Sequence, residues 1–469
     1  MKQYKKALFI FRRDLRLNDN TGLLFALENA QTVIPCFIFT PEQIEHNPYR
    51  SDRCLQFMIE SLEDLESQLS ANNGRLFLFY GKVETIITDC IKNLGVDAII
   101  VNRDYTPYSI NRDQKLTATC EALNASFHSF EDALLHPPEE TLKSDGKPYT
   151  IFTPFYRNAL KLEVDYPSEN RHTNYESKSI PFAASNASLY NKVLPLPKRQ
   201  LQSKGGRSEA LKILASLGNF ESYKEERDFP ALEKTTHLSG HLKFTTCSPR
   251  ETYWAIYHQL GESSELLRAL HWRDFFSSIG FYFPRVFTGA FQQHFNAVKW
   301  SYDEQLFKKW CEGTTGFPIV DAGIREMNQT GFMHNRLRMI VASFLVKDLH
   351  FDWRWGEKYF AQKLIDYDPV INNGNWQWAA STGCDAQPYF RIFNPWLQGL
   401  KFDKDCIYIK KWVPELESYS PKIIHKWFQE NHQQHAATYP APCVGHAEES
   451  KKALAAYKAA FNNTAEMDE

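Results

Sequence analysis

Across the first 130 residues, short β-branched and aromatic runs alternate with longer segments of helical period, and no other feature constrains the fold as tightly. Runs at 7–11 (ALFIF), 32–39 (TVIPCFIF), 75–80 (RLFLFY), 97–101 (DAIIV) and 126–130 (SFHSF) have the length and composition of buried strands. Segments 21–29, 52–71 and 83–94 between them have helical length and spacing. This alternation predicts a parallel sheet with helices on both faces, because parallel strands need long crossover connections. Such crossovers are right-handed, so the expected form is a doubly wound, Rossmann-like α/β domain. Ligands on these sheets sit beyond the carboxyl ends of the strands. No GxGxxG follows the first strand, so the usual dinucleotide fingerprint is missing there.

Between 165 and 206 the pattern dissolves into Ser, Asn, Pro and Lys (PSENRHTNYESKS, LPLPKRQLQSKGG), the composition of a long surface connector. Beyond Arg207, segments such as SELLRALHWRDFFSSIGF and GIREMNQTGFMHNRLRMIVASFLVKDL carry helical spacing without strand alternation. The expected organisation is α/β plus all-α: an α/β domain over 1–135, a connector over 136–206 and a helical domain over 207–469. The last 20 residues, rich in Ala and Lys, read as a surface helix with a frayed end.

Composition narrows the function classes. With 54 Lys+Arg against 56 Asp+Glu and 43% apolar residues in 469, the chain is an ordinary globular protein with a large core. Disorder, collagen and a polybasic nucleic-acid tail are excluded. Nine cysteines from Cys36 to Cys443 include no CxxC pair, which argues against a disulfide framework or a metal site and for a reducing, cytoplasmic setting. The apolar runs at 7–11 and 339–346 are far shorter than the ~20 residues that span a bilayer, so no membrane partner is expected. The 34 Phe, 22 Tyr and 11 Trp build core, or line a pocket for a planar ligand.

Three helical-half segments place polar residues where an apolar helix would not hold them. They are 331–349, with His334, Asn335, Arg336 and Arg338; 364–395, with Asp366, Asp368, Asn372, Asn373, Trp376, Trp378 and Arg391; and 268–276 (RALHWRDFF). Pro369 and Gly374 interrupt the second of these, freeing backbone groups to face a ligand.

Together with FRRDLRLNDNTGL (11–23), FTPFYR (152–157), RDFPALEKTTHLSGHL (227–242), TGFPIVDAGIREMNQTGFMHNRLRM (315–339) and NNGNWQWAASTGCDAQPYFRIFNP (372–395), these segments resemble the DNA photolyase/cryptochrome flavoproteins. The likeness is strongest to microbial class I enzymes that repair cyclobutane pyrimidine dimers. It implies light-driven electron transfer from reduced FAD to a flipped-out dimer in DNA, with 207–469 as the FAD-binding domain and 1–135 carrying a second, antenna chromophore. For FAD, the resemblance implies Tyr223, Thr235, Thr236, His237, Leu238, Ser239, Trp272, Arg273, Asn335, Arg338, Asp366, Tyr367, Asp368 and Asn372. Arg338 is expected to pair with Asp366, and Asn372 to face flavin N5. A neutral amide there suits the fully reduced flavin of a repair enzyme, where signalling relatives carry Asp or Cys. Arg227, Trp272, Arg273, Asn335, Arg336, Met339, Trp378 and Arg391 match positions facing DNA or the lesion, and two-pronged arginines suit phosphates. Trp376, Trp353 and Trp300 match the chain that carries electrons to the flavin from the surface.

Two departures matter. Ala269 stands where class I enzymes carry a lesion-bonding glutamate, and His271 is the nearest side chain that can compensate. The histidine pair of (6-4) photoproduct enzymes is replaced by Asn335 and Met339, with His334 one position off. A cryptochrome-type blue-light receptor and a (6-4) photolyase are the alternatives. The antenna is expected to be a folate, a deazaflavin or FMN near Asn102, Arg103, Asp104 and Tyr105, with Thr106 where folate binders carry a carboxylate. A monomer is expected.

Overall fold

The computed structural model describes residues 2–429 and 439–465. The chain forms two compact units. One comprises Met1–Glu221, Thr236–Tyr282 and Ile365–Asp368; the other comprises Ser222–Thr235, Phe283–Leu364 and Pro369–Glu469.

The first unit is built on five parallel strands, β1 (Tyr4–Phe11), β2 (Ala30–Phe39), β3 (Phe77–Tyr80), β4 (Ala98–Asn102) and β5 (Ser126–Phe130), in the order β3-β2-β1-β4-β5. Ala7 of β1 lies opposite Val33 of β2 on one side and Ala98 of β4 on the other. Side chains alternate strictly across this sheet. Phe9, Phe11, Phe37 and Ile100 pack on one face with α1 (Thr21–Asn29) and α2 (Asp52–Ala71). Leu8, Ile10, Ile34 and Ile99 pack on the other with Ile87 of α3 (Val83–Leu94) and Leu116 of α4 (Pro107–Ala122). Each such side chain stabilises the fold by roughly 1.5–3 kcal/mol, which is why these strands read as continuous apolar runs.

The five strands fall where the sequence reading puts them, although β1 and β2 begin earlier and β3 and β4 slightly later than expected. Helix α4 was not evident from its sequence, because only Ser109, Leu116 and Cys120 along it are buried. What starts it is local chemistry: Thr106 caps it by accepting from Ser109 N, and Pro107 opens its first turn. The segment 165–206 is also less loose than its composition suggests. Glu176 N donates to Val33 O at 2.7 Å, Ala184 N to Leu78 O at 2.9 Å, and a helix forms at Asn186–Val193. A side chain at Gly205 would put its Cβ 2.2 Å from Phe57 O, so α2 and this segment approach backbone to backbone. The first unit also contains α5 (Phe152–Ala159) and α6 (Glu265–Tyr282).

The second unit is helical. Its central elements are α7 (Pro318–Thr330), α8 (Asn335–Lys347), α9 (Trp353–Lys363), α10 (Pro369–Ala379) and α11 (His446–Ala465). His334 caps α8 by accepting from Arg336 N, and Asp352 caps α9 by accepting from Arg354 N. Helix α8 buries nearly every residue from Ile340 to Lys347, as its apolar run demanded. Within the unit α11 is pinned by Tyr457, whose hydroxyl donates to Ala380 O at 2.6 Å and whose ring lies 3.8 Å from Lys347 Nζ. Residues 466–469 of the expected frayed end lie outside the described residues. Among the described residues, no helix is long and apolar enough to cross a membrane.

Candidate functional site

In the first unit, the strand order reverses between β1 and β4, the position at which open α/β sheets bind their ligands. Arg13 follows β1 and Asp104 follows β4. Arg13 joins Asp104 at 3.3 Å and Asp368 at 2.6 Å. Burial works against the Asp104 carboxylate, but Arg13, Lys243 and Arg112 together outweigh it and hold the group below its usual range. Lys243 completes this cluster; burial and the neighbouring Arg13 push its ammonium down. Asp368 was expected from the sequence, whereas Arg13 and Lys243 were not singled out: nothing local marks an arginine after a strand as the partner of a carboxylate 355 positions later. Tyr367 lies parallel to Tyr49, ring centroids 6.3 Å apart and planes within 5°.

The remaining antenna candidates are committed to the protein. Asn102 bonds Asp14 and Asn20 and accepts from Gly22 N. Arg103 pairs with Glu131 and Glu139, and the Tyr105 hydroxyl donates to Glu131. Thr106 is a helix cap.

The run Thr236-His237-Leu238-Ser239 makes a tight turn. Thr236 Oγ1 accepts from Leu238 N at 3.4 Å, His237 adopts a left-handed φ of 54°, and buried Leu238 anchors the turn. Ser239 is exposed at the start of a short helix, Ser239–Lys243. On α6, Trp272 stacks on Phe152 at 3.7 Å with planes within 8°, so its platform is rigid on that side. Ala269, one turn earlier, is exposed and contributes no polar atom. His271 is 1% exposed and cannot replace the missing glutamate at a surface. Arg273, expected at cofactor and DNA, is buried, and its two terminal nitrogens donate to Ala133 O and Leu242 O. Those two bonds tie the guanidinium to the fold of its own unit.

In the second unit, Asn372 donates from Nδ2 to Glu357 O at 3.2 Å, and its Oδ1 has no partner among the described residues. The adjoining Asn373 donates to Val286 O at 3.0 Å and Glu357 Oε1 at 3.2 Å, and Gln377 donates to Asn373 Oδ1 at 3.0 Å. This network fixes the start of α10. Burial pushes the Glu357 carboxyl up to about 7. Asn335 is exposed at the start of α8, with Met339 one turn on at 3.9 Å. Arg338 donates from Nε to Met333 O at 2.8 Å. Arg336 is held by Asp228 at 2.6 Å and by the Phe402 ring at 4.3 Å. Neither partner was foreseen, because both come from distant segments. Arg227 lies over the Tyr223 ring at 5.9 Å, while Arg391 is exposed and Trp378 half-buried.

The three tryptophans occupy neighbouring backbone. Trp376 is 2% exposed and packs edge-on to Phe360 at 4.8 Å and to Trp310 at 6.3 Å. Gly356, one turn after Trp353 on α9, lets Trp376 lie against that helix: a Cβ there would sit 2.1 Å from Trp376 Cη2. Ser301, next to Trp300, bridges to Phe351, two residues before Trp353.

The residues suit a flavin on chemical grounds. The Asn372 amide is anchored by its own donor, which leaves a carbonyl oxygen to meet an N–H such as flavin N5–H. Thr236 and Ser239 offer hydroxyls on one turn for a pyrophosphate or ribityl chain.

Comparison with known proteins points the same way. Residues 7–172 match the family described as DNA photolyase, and residues 266–459 match the FAD binding domain of DNA photolyase. A deoxyribodipyrimidine photo-lyase of Vibrio cholerae is 38% identical over 96% of this chain and 98% of its own. An archaeal photolyase from Sulfolobus tokodaii, solved with two FAD molecules, is 41% identical with a TM-score of 0.87, covering 97% of this chain and 99% of that one. A class III photolyase from Agrobacterium tumefaciens is 37% identical with a TM-score of 0.90, covering 98% and 99%. With both its α/β and its helical segments matched in this way, the chain belongs to the DNA photolyase family.

Proposed function

We propose that this protein is a light-dependent deoxyribodipyrimidine photo-lyase that uses FAD to repair cyclobutane pyrimidine dimers in DNA. The observation that carries the reading is identity of 38% with a deoxyribodipyrimidine photo-lyase along essentially the whole of both chains. The chemistry such a flavin supplies is light-driven transfer of one electron to the dimer and its return; the protein binds, orients and excludes water.

The chain's own residues divide these tasks. Thr235, Thr236, His237, Leu238 and Ser239, with Tyr223, hold the phosphates and ribityl chain. Asp366, Tyr367, Asp368 and Arg338 border the ring system. Asn372, oriented by Glu357 O, accepts the N5 proton's hydrogen bond. Trp272, backed by Phe152, and Trp378 take the flipped dimer between aromatic faces, with Asn335 and Met339 beside it. Arg227, Arg336 and Arg391 meet phosphates, which makes affinity fall with salt. Trp376, Trp353 and Trp300 relay electrons inward. Residues 1–135 form the antenna domain, 136–206 the connector and 207–469 the catalytic domain, in a monomer acting in the cytoplasm. The Sulfolobus relative solved with two FAD molecules supports a second chromophore here, bound by the first unit.

The test is illumination of the reduced holoprotein with an oligonucleotide carrying one thymine dimer. Recovery of thymine absorbance is expected. Unchanged absorbance from a protein whose flavin still photoreduces would overturn the assignment in favour of a light sensor.

A further inference from the structure

Three polar side chains of the first unit are buried without partners for all their polar atoms, and the repair chemistry uses none of them. His136 is 4% exposed, His271 1% and Asp274 3%. Among the described residues, His136 Nε2, both ring nitrogens of His271 and Asp274 Oδ1 find no hydrogen-bond partner. They belong to one cluster. His271 and Asp274 are three apart on α6 and so share a helix face. Asp274 Oδ2 accepts from Leu135 N at 3.0 Å, which brings in the neighbouring His136, and the two imidazoles are close enough to feel each other's charge.

Buried polar groups in folded proteins are satisfied almost without exception, and an internal water needs two to four polar partners. We propose that Asp274, His271 and His136 enclose an internal water site, and that this water-bridged cluster holds the helix carrying Trp272 in register. The connection to Trp272 is through rings. His271 meets Tyr156 edge-on at 5.1 Å, Tyr156 stacks on Phe152 at 5.6 Å, and Phe152 stacks on Trp272. His271 is thus a positioning residue for the aromatic platform. What Trp272 is for rests on the function proposed above; the water site rests on this unit's own geometry.

Burial works against charge on each of the three groups. Burial pushes Asp274 up to about 7 against the pull of Arg273, with Glu131 adding to the rise. Burial, then His136, pushes His271 down to about 4. His136 is lowered by burial and partly restored by Asp165. Arg268, over the Phe152 and Tyr156 rings, is the remaining cation facing this face. The signs are opposite for the two kinds of group. The folded state withholds a proton from His271 below ~6.5, so that residue erodes stability as pH falls. The folded state keeps a proton on Asp274 between ~4 and about 7, so that residue adds stability as pH falls.

Two measurements on the full-length holoprotein test this. A crystal structure that resolves ordered water should show one within hydrogen-bond distance of Asp274 Oδ1 and an imidazole nitrogen; a dry cavity, or a direct His271–Asp274 bond, overturns the proposal. Melting temperatures at pH 7 and pH 5 should move in opposite senses. The drop should be smaller in His271→Leu than in the parent, and larger in the near-isosteric Asp274→Asn. A drop unchanged in Asp274→Asn, or changed in the same sense in both, also overturns it. Loss of dimer repair with the water and the opposed pH effects intact would sink only the functional reading.

Discussion

Gly356→Ala is the substitution for which the geometry predicts most. Position 356 lies inside α9, where alanine by itself is favoured over glycine by about 0.5–1 kcal/mol. The added methyl, however, would fall 2.1 Å from Trp376 Cη2, 2.5 Å from Cζ3 and 2.6 Å from Leu345 Cδ2. Carbon atoms settle at about 3.5–4.0 Å, so the overlap exceeds an ångström. The Trp376 ring cannot slide aside, because Phe360 and Trp310 press its edges and faces. Relief must come from separating α9 and α10. Overpacking of this severity costs toward the upper end of the 1–3 kcal/mol range, which leaves a net loss of about 2 kcal/mol after the helix gain. Because α10 carries Asn372 as well as Trp376, light-driven reduction of the oxidised flavin should slow in the same variant. Urea unfolding followed by tryptophan fluorescence measures the first effect and flash photolysis the second. Gly218→Ala, where an added Cβ meets nothing within 4 Å, serves as control. Parent-like stability and photoreduction in Gly356→Ala would refute the close approach of α9 to Trp376.

Other outcomes follow from single side chains. Trp376→Phe should slow photoreduction at least tenfold while leaving dimer repair by pre-reduced protein largely intact, and equal loss of both would contradict its relay role. Arg336 is paired with Asp228 at 2.6 Å, so Asp228→Asn should free its charge for phosphate. Filter binding should then show tighter association and a steeper salt slope by up to about one unit, and an unchanged slope would remove Arg336 from the DNA face. Burial raises Glu357 to about 7, above its unfolded value, so the stability it contributes is present at low pH and is lost as pH rises through 7. Glu357→Gln should flatten the fall in melting temperature between pH 6 and pH 8; a fall as steep as the parent's would show that another group titrates there.

The departure at Ala269 takes on a definite shape. The sequence leaves open that His271 stands in for the missing carboxylate, but a side chain 1% exposed and turned onto Tyr156 is part of the interior. Within the first unit, then, neither Ala269 nor His271 offers the lesion a polar contact beside Trp272. A lost charge-assisted hydrogen bond is worth about 1.5–3 kcal/mol, so lesion discrimination weaker than in a glutamate-bearing relative is the expected consequence.

What the sequence by itself determined was the succession of β1 to β5 and the helical second half, since period-2 and period-3.6 apolar spacing are local properties that burial on both faces of a sheet, or around a helix, enforces directly. It also determined the residue types at the site, through long motif strings whose spacing is kept along the chain. Only tertiary structure decided who partners whom. Arg13 with Asp368, Arg336 with Asp228, and Arg273 with two backbone carbonyls are pairings between segments far apart in sequence. A guanidinium's role depends on which carboxylate, carbonyl or phosphate reaches it first in space, and no local pattern encodes that. Helix α4 is illegible in the sequence for the complementary reason: its few buried residues supply little periodicity, and packing against the sheet, with a threonine cap, makes up the difference.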